Sequence, residues 1–310
     1  MSRSTLPEPL ARTEFDALEG MARALTSSGW YRVVRRFQPQ PRYAADDGAP
    51  KRTALFVDVE TTGLNFGSDA IIEFSAVPFE YGVRDGQIYA VGEPVTFFED
   101  PGWAIPEAIT ELTGITDEMV RGQRIDDTRV SALLSGVALV VAHNAAFDRR
   151  WLERRLPAFA GKPWACSRDD VPWHLHGCAG RTLEYILFRT CAEFLEGHRA
   201  AEDCFAGIHI LAMRTCAGAL PMGLLLENAR TPTARIWAFD TPRGSAAALR
   251  ARHYRWSDGA DGRAKGWYID VPEPRAQAER EWLATAIYRG RPPALRVQRY
   301  TALERYSGRV

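Results

Sequence analysis

Leu55-Phe56-Val57-Asp58-Val59-Glu60-Thr61-Thr62-Gly63-Leu64 is an apolar run rich in Val and Phe that ends in a Gly-containing turn, the pattern of a buried strand stopping at Thr61. Side chains alternate along a strand, so Asp58 and Glu60 project from the same face. Two neighbouring carboxylates in apolar surroundings are costly unless a cation neutralises them. A divalent metal ion would do so. A strand end with two solvated acids and an ordinary Thr-Gly turn is the other reading of the same letters.

Working outward, residues 70–80 and 87–98 are β-rich runs separated by the turn composition Tyr81-Gly82-Val83-Arg84-Asp85-Gly86. With the opening strand they predict an antiparallel meander. Helical segments follow at 106–112, 116–121 and 128–135. Val137 to Val141 is continuously apolar, as in a strand buried on both faces. Alternation of strand and helix from there predicts an α/β fold with the sheet covered by helices.

A second constellation follows that strand, His143-Asn144-Ala145-Ala146-Phe147-Asp148, and opens a helix running to about Leu156 before Pro157. Asn144 stands where an N-cap is wanted. Asp148, Leu152 and Leu156 recur every four residues, so the acid shares a stripe with two leucines and needs a partner, either a cation site or a neighbouring arginine. The third constellation is His198-Arg199-Ala200-Ala201-Glu202-Asp203. Asp203, Ala206, Gly207 and Ile210 form another stripe that turns Asp203 inward. Gly197 lets the helix begin after His198, leaving the histidine on a loop at the helix end, in a surface or capping role or as part of a site.

Together Asp58, Glu60, Asp148 and Asp203 offer oxygen ligands only, which favours hard cations, Mg²⁺ or Mn²⁺, over zinc. Four acids exceed what one octahedral Mg²⁺ takes from protein, whereas two ions bridged by Asp58 account for all of them. The order Asp-x-Glu-Thr-Thr-Gly, His-Asn-x-x-Phe-Asp and His-x-x-x-x-Asp resembles the DEDDh 3′-to-5′ exonucleases of the RNase H-like fold. It is most similar to the epsilon-type proofreading exonuclease of bacterial DNA polymerase III. The likeness covers roughly residues 53–217, and Ile109 to Thr116 also resembles that family.

The resemblance implies a mixed five-stranded sheet flanked by helices. It implies a two-metal mechanism that releases 5′-mononucleotides from a 3′ end, with Asp58, Glu60, Asp148 and Asp203 holding both ions. His198 would be the general base. Thr61, Thr62, Gly63 and Leu64 would meet the terminal nucleotide, and Asn144 and Phe147 would shape the same pocket. The substrate it implies is DNA, single-stranded at its 3′ end, with a DNA polymerase or repair complex as a partner. An exoribonuclease and an idle nucleic-acid-binding module are the alternatives.

The chain has 310 residues, 46% hydrophobic and 25% charged, an ordinary globular composition with room for a core and an appendage. No run approaches the roughly 20 apolar residues of a membrane span, and the first nine residues lack a signal-peptide core. The expectation is a cytoplasmic protein that keeps its five cysteines reduced. His174-x-His176-x-Cys178 has a period of two that would put three metal ligands on one strand face, but no fourth ligand follows at the usual spacing. The net charge of zero conceals a division: residues 53–234 carry 15 Lys/Arg against 25 Asp/Glu, whereas 235–310 carry 15 against 8. An acidic core with basic flanks suits a carboxylate site acting on a polyanion. A solvated charge distribution is the plainer reading.

Three regions are expected: residues 1–50 as a helical and basic appendage with a linker, 51–220 as the exonuclease domain, and 221–310 as a small basic α+β module. In the last, strands are predicted at 236–239, 254–256 and 266–271, helices at 245–252 and 274–288, and then a basic tail. Tyr254, Trp256, Trp267 and Tyr268 alternate with arginines there, which fits either a stacking surface for single strands or the module's own core.

Overall fold

The computed structural model describes residues 12–195, 199–215, 218–260, 262–291 and 293–310. Helix α1 (Arg12–Ser27) is followed by the two-residue strand β1 (Arg35–Arg36). The main sheet contains β2 (Lys51–Thr61), β3 (Ile71–Gly82), β4 (Ile88–Val91), β5 (Val95–Phe98), β6 (Val137–Ala142) and β7 (Trp164–Cys166). Strands β2 and β3 pair antiparallel over their whole length, while β6 and β7 add in parallel, giving the order β4-β3-β2-β6-β7 with β5 also on β3. The mixed sheet thus has five positions, as expected, filled by six strands. The run 87–98 divides in two because Gly92-Glu93-Pro94 interrupts it, and proline has no N–H to give a ladder.

Helices α2 (Glu107–Thr113), α3 (Asp117–Val120) and α4 (Asp127–Leu134) bridge β5 to β6, and α5 (Ala145–Arg155) follows β6. Next come α6 (Leu183–Cys191), the short strand β8 (Glu193–Phe194), α7 (Ala200–Ala212) and α8 (Pro221–Arg230). The alternation of β2 sorts them onto two faces. Leu55, Val57 and Val59 pack with Val130, Leu134, Trp151 and Leu152 of α4 and α5. Phe56 packs on the opposite side with Ile186, Ile210 and Leu225 of α6, α7 and α8. Asp58 and Glu60 share the Phe56 face, so they look toward α7. At Gly207 the helix comes so close that a Cβ would stand 2.1 Å from the Phe56 ring. A glycine inside a helix costs about 1 kcal/mol, and here it lets α7 lie directly on the strand.

The segment before β2 is attached to this core: β1 pairs in parallel with β8, Phe37 is buried, and Tyr43 reaches His209 of α7 at 2.8 Å. The C-terminal region forms a second sheet, β10-β11-β9-β12, from β9 (Thr233–Ala238), β10 (Arg255–Ser257), β11 (Gly266–Pro272) and β12 (Val297–Tyr300). Helices α9 (Ala246–Ala251) and α10 (Ala276–Trp282) cover it. Three expectations change here. The basic tail contains β12, paired with β9, before the chain returns to the first domain. The helix expected over 274–288 is α10 followed by a π turn at Leu283–Ile287. Tyr254, Trp267 and Tyr268 are buried in the module, and only Trp256 of the four is exposed. A unit this small needs its aromatics for its own core.

No helix among the described residues is long and apolar enough to cross a membrane. His174 and His176 lie on a 3₁₀ turn (Trp173–His176), not a strand, so the period of two has no common face.

Candidate active site

The strand β2 brings Asp58 and Glu60 to the edge of α7, whose first turn carries Asp203. Ligand oxygens of Asp58, Glu60 and Asp203 all lie within 4.8 Å of one another. Asp148 arrives from α5 on the opposite face of the sheet. Strand β6 pairs with β2 only as far as Phe56, and beyond it the open edge of β2 offers the Val59 N–H to Asp148 Oδ1 at 3.3 Å. Asp148 is buried beside the three-carboxylate cluster but is not one of its three members.

Crowding leaves its mark on the acidities. Burial, then Glu73, pushes Asp58 up to about 7; burial, then Asp58 and Glu73, pushes Glu60 up to about 9. Asp148 and Asp203 are raised well above the ordinary carboxylate range, first by burial and then by the charge of Asp58. Among the described residues no arginine or lysine forms an ion pair with any of these four acids, and Asp203 Oδ1 is shielded with no hydrogen-bond partner. The arginine beside Asp148 in sequence turns away to the chain's last residues, so it does not neutralise the acid. Converging oxygen donors without an ion-paired arginine or lysine fit a hard divalent ion.

Glu73 completes the site and was missed in the sequence, where it sits in an unremarkable apolar strand. It stands opposite Glu60 in the β2–β3 ladder and is 1% exposed. Like charges facing each other across strands repel, and Arg199 offsets this, Nη2 donating to Glu73 Oε1 at 2.7 Å. Glu73 also accepts the Ala200 N–H at 3.2 Å, which caps α7 from across the sheet. The only sequence signal was a lone acid among apolar neighbours. His198 lies outside the described residues, one position before Arg199.

The turn after β2 is held from below. Thr62 Oγ1 donates to Asp69 Oδ1 at 3.0 Å, Asn65 N–H to Asp69 Oδ2 at 2.8 Å, and Thr61 Oγ1 to the Gly63 carbonyl at 2.6 Å. The close approach at Gly63 is that of Asp69, whose carboxylate would stand 2.6 Å from an added Cβ. Leu64 is 85% exposed at the rim. Asn144 occupies the N-cap position of α5, but its side chain makes no capping hydrogen bond, so the amide is left over for another partner. Phe147 is half-buried against Trp151, ring centroids 5.8 Å apart.

Residues 55–211, just over half the chain, match the family model described as Exonuclease, of RNase T type. A DNA polymerase III PolC-type protein from Clostridium perfringens is 36% identical over 184 residues, covering 54% of this chain and 12% of that protein. Its counterpart from Oceanobacillus iheyensis is 36% identical over 177 residues with the same coverage. The chain therefore spans about an eighth of these relatives. Among solved structures, the complex of E. coli ExoI with single-stranded DNA in its zinc-bound form aligns with TM-score 0.46 and 16% identity. That alignment covers 71% of this chain and 63% of the other. The polymerase III likeness in the motifs is thus matched by whole-segment comparison.

Proposed function

Because the chain belongs to the RNase T exonuclease family, we propose that it is a metal-dependent 3′-to-5′ exonuclease that removes 5′-mononucleotides from the 3′ end of DNA. The observation that carries this reading is the meeting of Asp58, Glu60 and Asp203 oxygens within 4.8 Å, with no arginine or lysine among the described residues ion-paired to them. Those three, with Asp148, would hold a pair of Mg²⁺ or Mn²⁺ ions. When bound, such ions lower the pKa of the attacking water and neutralise charge on the leaving 3′-oxygen. His198 takes the water's proton, a role suited to a group titrating near neutral pH. Leu64 and the main chain of Thr61 to Gly63 seat the terminal nucleotide, and Asn144 and Phe147 border it. Likeness to PolC-type proteins supports work alongside a DNA polymerase or repair complex.

The test is digestion of 3′-labelled and 5′-labelled single strands of DNA and RNA with Mg²⁺, Mn²⁺ or EDTA. Immediate mononucleotide release from the 3′-labelled DNA, abolished by EDTA, is expected. Early release of mononucleotides from the 5′-labelled strand, or metal-independent cleavage, would overturn the proposal. Preference for RNA would replace its substrate.

Two further outcomes follow from the site. With carboxyls raised to about 7 and 9, the metal-free folded chain keeps protons that the unfolded chain releases above about pH 4. Its stability therefore falls as pH rises from about 4 to 9. Metal binds the deprotonated acids, so Mn²⁺ should raise the melting temperature more at pH 8.5 than at pH 6. Equal gains at both would contradict the arrangement. Glu73→Ala should release Arg199 and the first turn of α7, which carries Asp203, lowering kcat about 10²-fold. Thermal melts should show Mn²⁺ still bound.

A further inference from the structure

Between the exonuclease core and the C-terminal module lies a cleft of about 760 Å³. Its lining contains seven arginines and three aspartates, four more cationic than anionic side chains. We propose that this cleft is a second binding site, a phosphate-tracking groove for the single strand that leads into the active site. The proposal rests on the exonuclease reading for the identity of its polyanion.

Each aspartate in the cleft is already shared. On the core wall, Asp169 accepts from both Arg168, at 2.9 Å, and Arg181, at 2.8 Å. On the module wall, Asp270 accepts from both Arg235, at 2.7 Å, and Arg255, at 2.5 Å. One carboxylate between two guanidiniums leaves one positive charge per wall uncompensated. The outer members, with side chains 61% exposed at Arg181 and 58% at Arg255, are the ones an outside anion meets. Arginine's fork lets it keep its aspartate while presenting other N–H groups to a phosphate.

The floor is the returning chain, where Tyr306 donates to Asp170 Oδ1 at 2.6 Å and Arg305 lies 3.4 Å from the same oxygen. Asp170 is thereby occupied and cannot cancel the walls. The cleft also reaches the active-site helix. Ala146, which lines it, is two residues before Asp148, and His143 Nε2 donates to the Arg181 carbonyl at 2.9 Å. The volume falls within the roughly 300–1,000 Å³ of small-ligand sites, room for nucleotides of a single strand. Backbone charge, not base identity, is what arginines in this arrangement read.

The test measures binding of 5′-fluorescein dT20 and dT5 in EDTA across a salt series, for wild type, Arg181→Ala/Arg255→Ala and Arg181→Lys/Arg255→Lys. Hydrolysis of the p-nitrophenyl ester of thymidine 5′-monophosphate, which fills the active site alone, is measured with Mn²⁺. The alanine pair should weaken dT20 binding roughly tenfold at 0.1 M salt and reduce the salt slope by about 1.4, about 0.7 for each lost phosphate contact. The lysine pair should retain most of the affinity, and ester hydrolysis should be unchanged in both. An unchanged affinity and slope for dT20 in the alanine pair would overturn the groove. An equal loss for dT5 and dT20 with slowed ester hydrolysis would also overturn it, since that pattern marks distortion of the active site. Should wild type fail to hydrolyse the ester, the exonuclease reading falls, and the binding series still decides the groove.

Discussion

Asp58→Asn is expected to reduce kcat for 3′-terminal nucleotide release by roughly 10³-fold or more and, at the same time, to raise the melting temperature of the metal-free protein. The first effect follows because a bound ion contributes several kcal/mol of transition-state charge stabilisation, and each 1.4 kcal/mol is a factor of ten. The second follows because the charge of Asp58 helps to hold the pKa values of Glu60, Asp148 and Asp203 above the ordinary carboxylate range. Its removal relieves like-charge repulsion in the site while an amide fills nearly the same volume. Melts in EDTA at pH 8.5 check the stability arm, where a rise of a few degrees is expected. Retention of a tenth of the activity, or a lower metal-free melting temperature, would show that Asp58 is not the charge shared by the site.

Arg149→Met is expected to destabilise the protein by about 3–5 kcal/mol, the range for stranding a buried charge partner. Arg149 is fully buried next to Asp148 on α5. Its guanidinium donates to Glu153 at 2.6 Å and to the carbonyls of Ala302, Leu303 and Arg305 at 3.1, 2.6 and 2.6 Å. Replacing a whole ion pair by apolar groups is often harmless, but three of the acceptors here are main-chain carbonyls, which no substitution can remove. The Ala302 and Leu303 carbonyls keep second donors, the Trp164 N–H and Arg309, but the Arg305 carbonyl loses its side-chain partner and Glu153 loses its buried cation. The melting temperature should drop by roughly 5–15 °C. A change under 2 °C would mean that residues 301–309 do not hold to the core as described.

Most of the core was legible because its signals are local and redundant. The acid-bearing strand, the meander, β6 and the two acid-bearing helices each show their period within a dozen residues. Most observed bounds differ from the expected ones by one or two positions, while β2 starts four residues before Leu55 because its first residues are Lys and Arg. Strand β7, three residues long, is too short to display a period at all. Strand β12 was hidden in a run rich in arginine, where charge masked an edge strand that needs no apolar alternation on its open side. Glu73 was invisible for another reason: its importance lies in Arg199 and Ala200, more than a hundred residues away, and no local pattern announces a partner at that distance. Asn144 was placed well, yet its expected cap bond is not made.

The C-terminal sheet departs from the core at Thr231 and its chain comes back at residue 301, where the Trp164 N–H donates to the Ala302 carbonyl at 2.8 Å. A body fastened at two points can swing only about the line joining them, whereas a body on one linker tumbles in every direction. The gap between the two lobes is therefore bounded in width by covalent connectivity, and a strand bound there as proposed would keep its lateral alignment from one cleavage to the next.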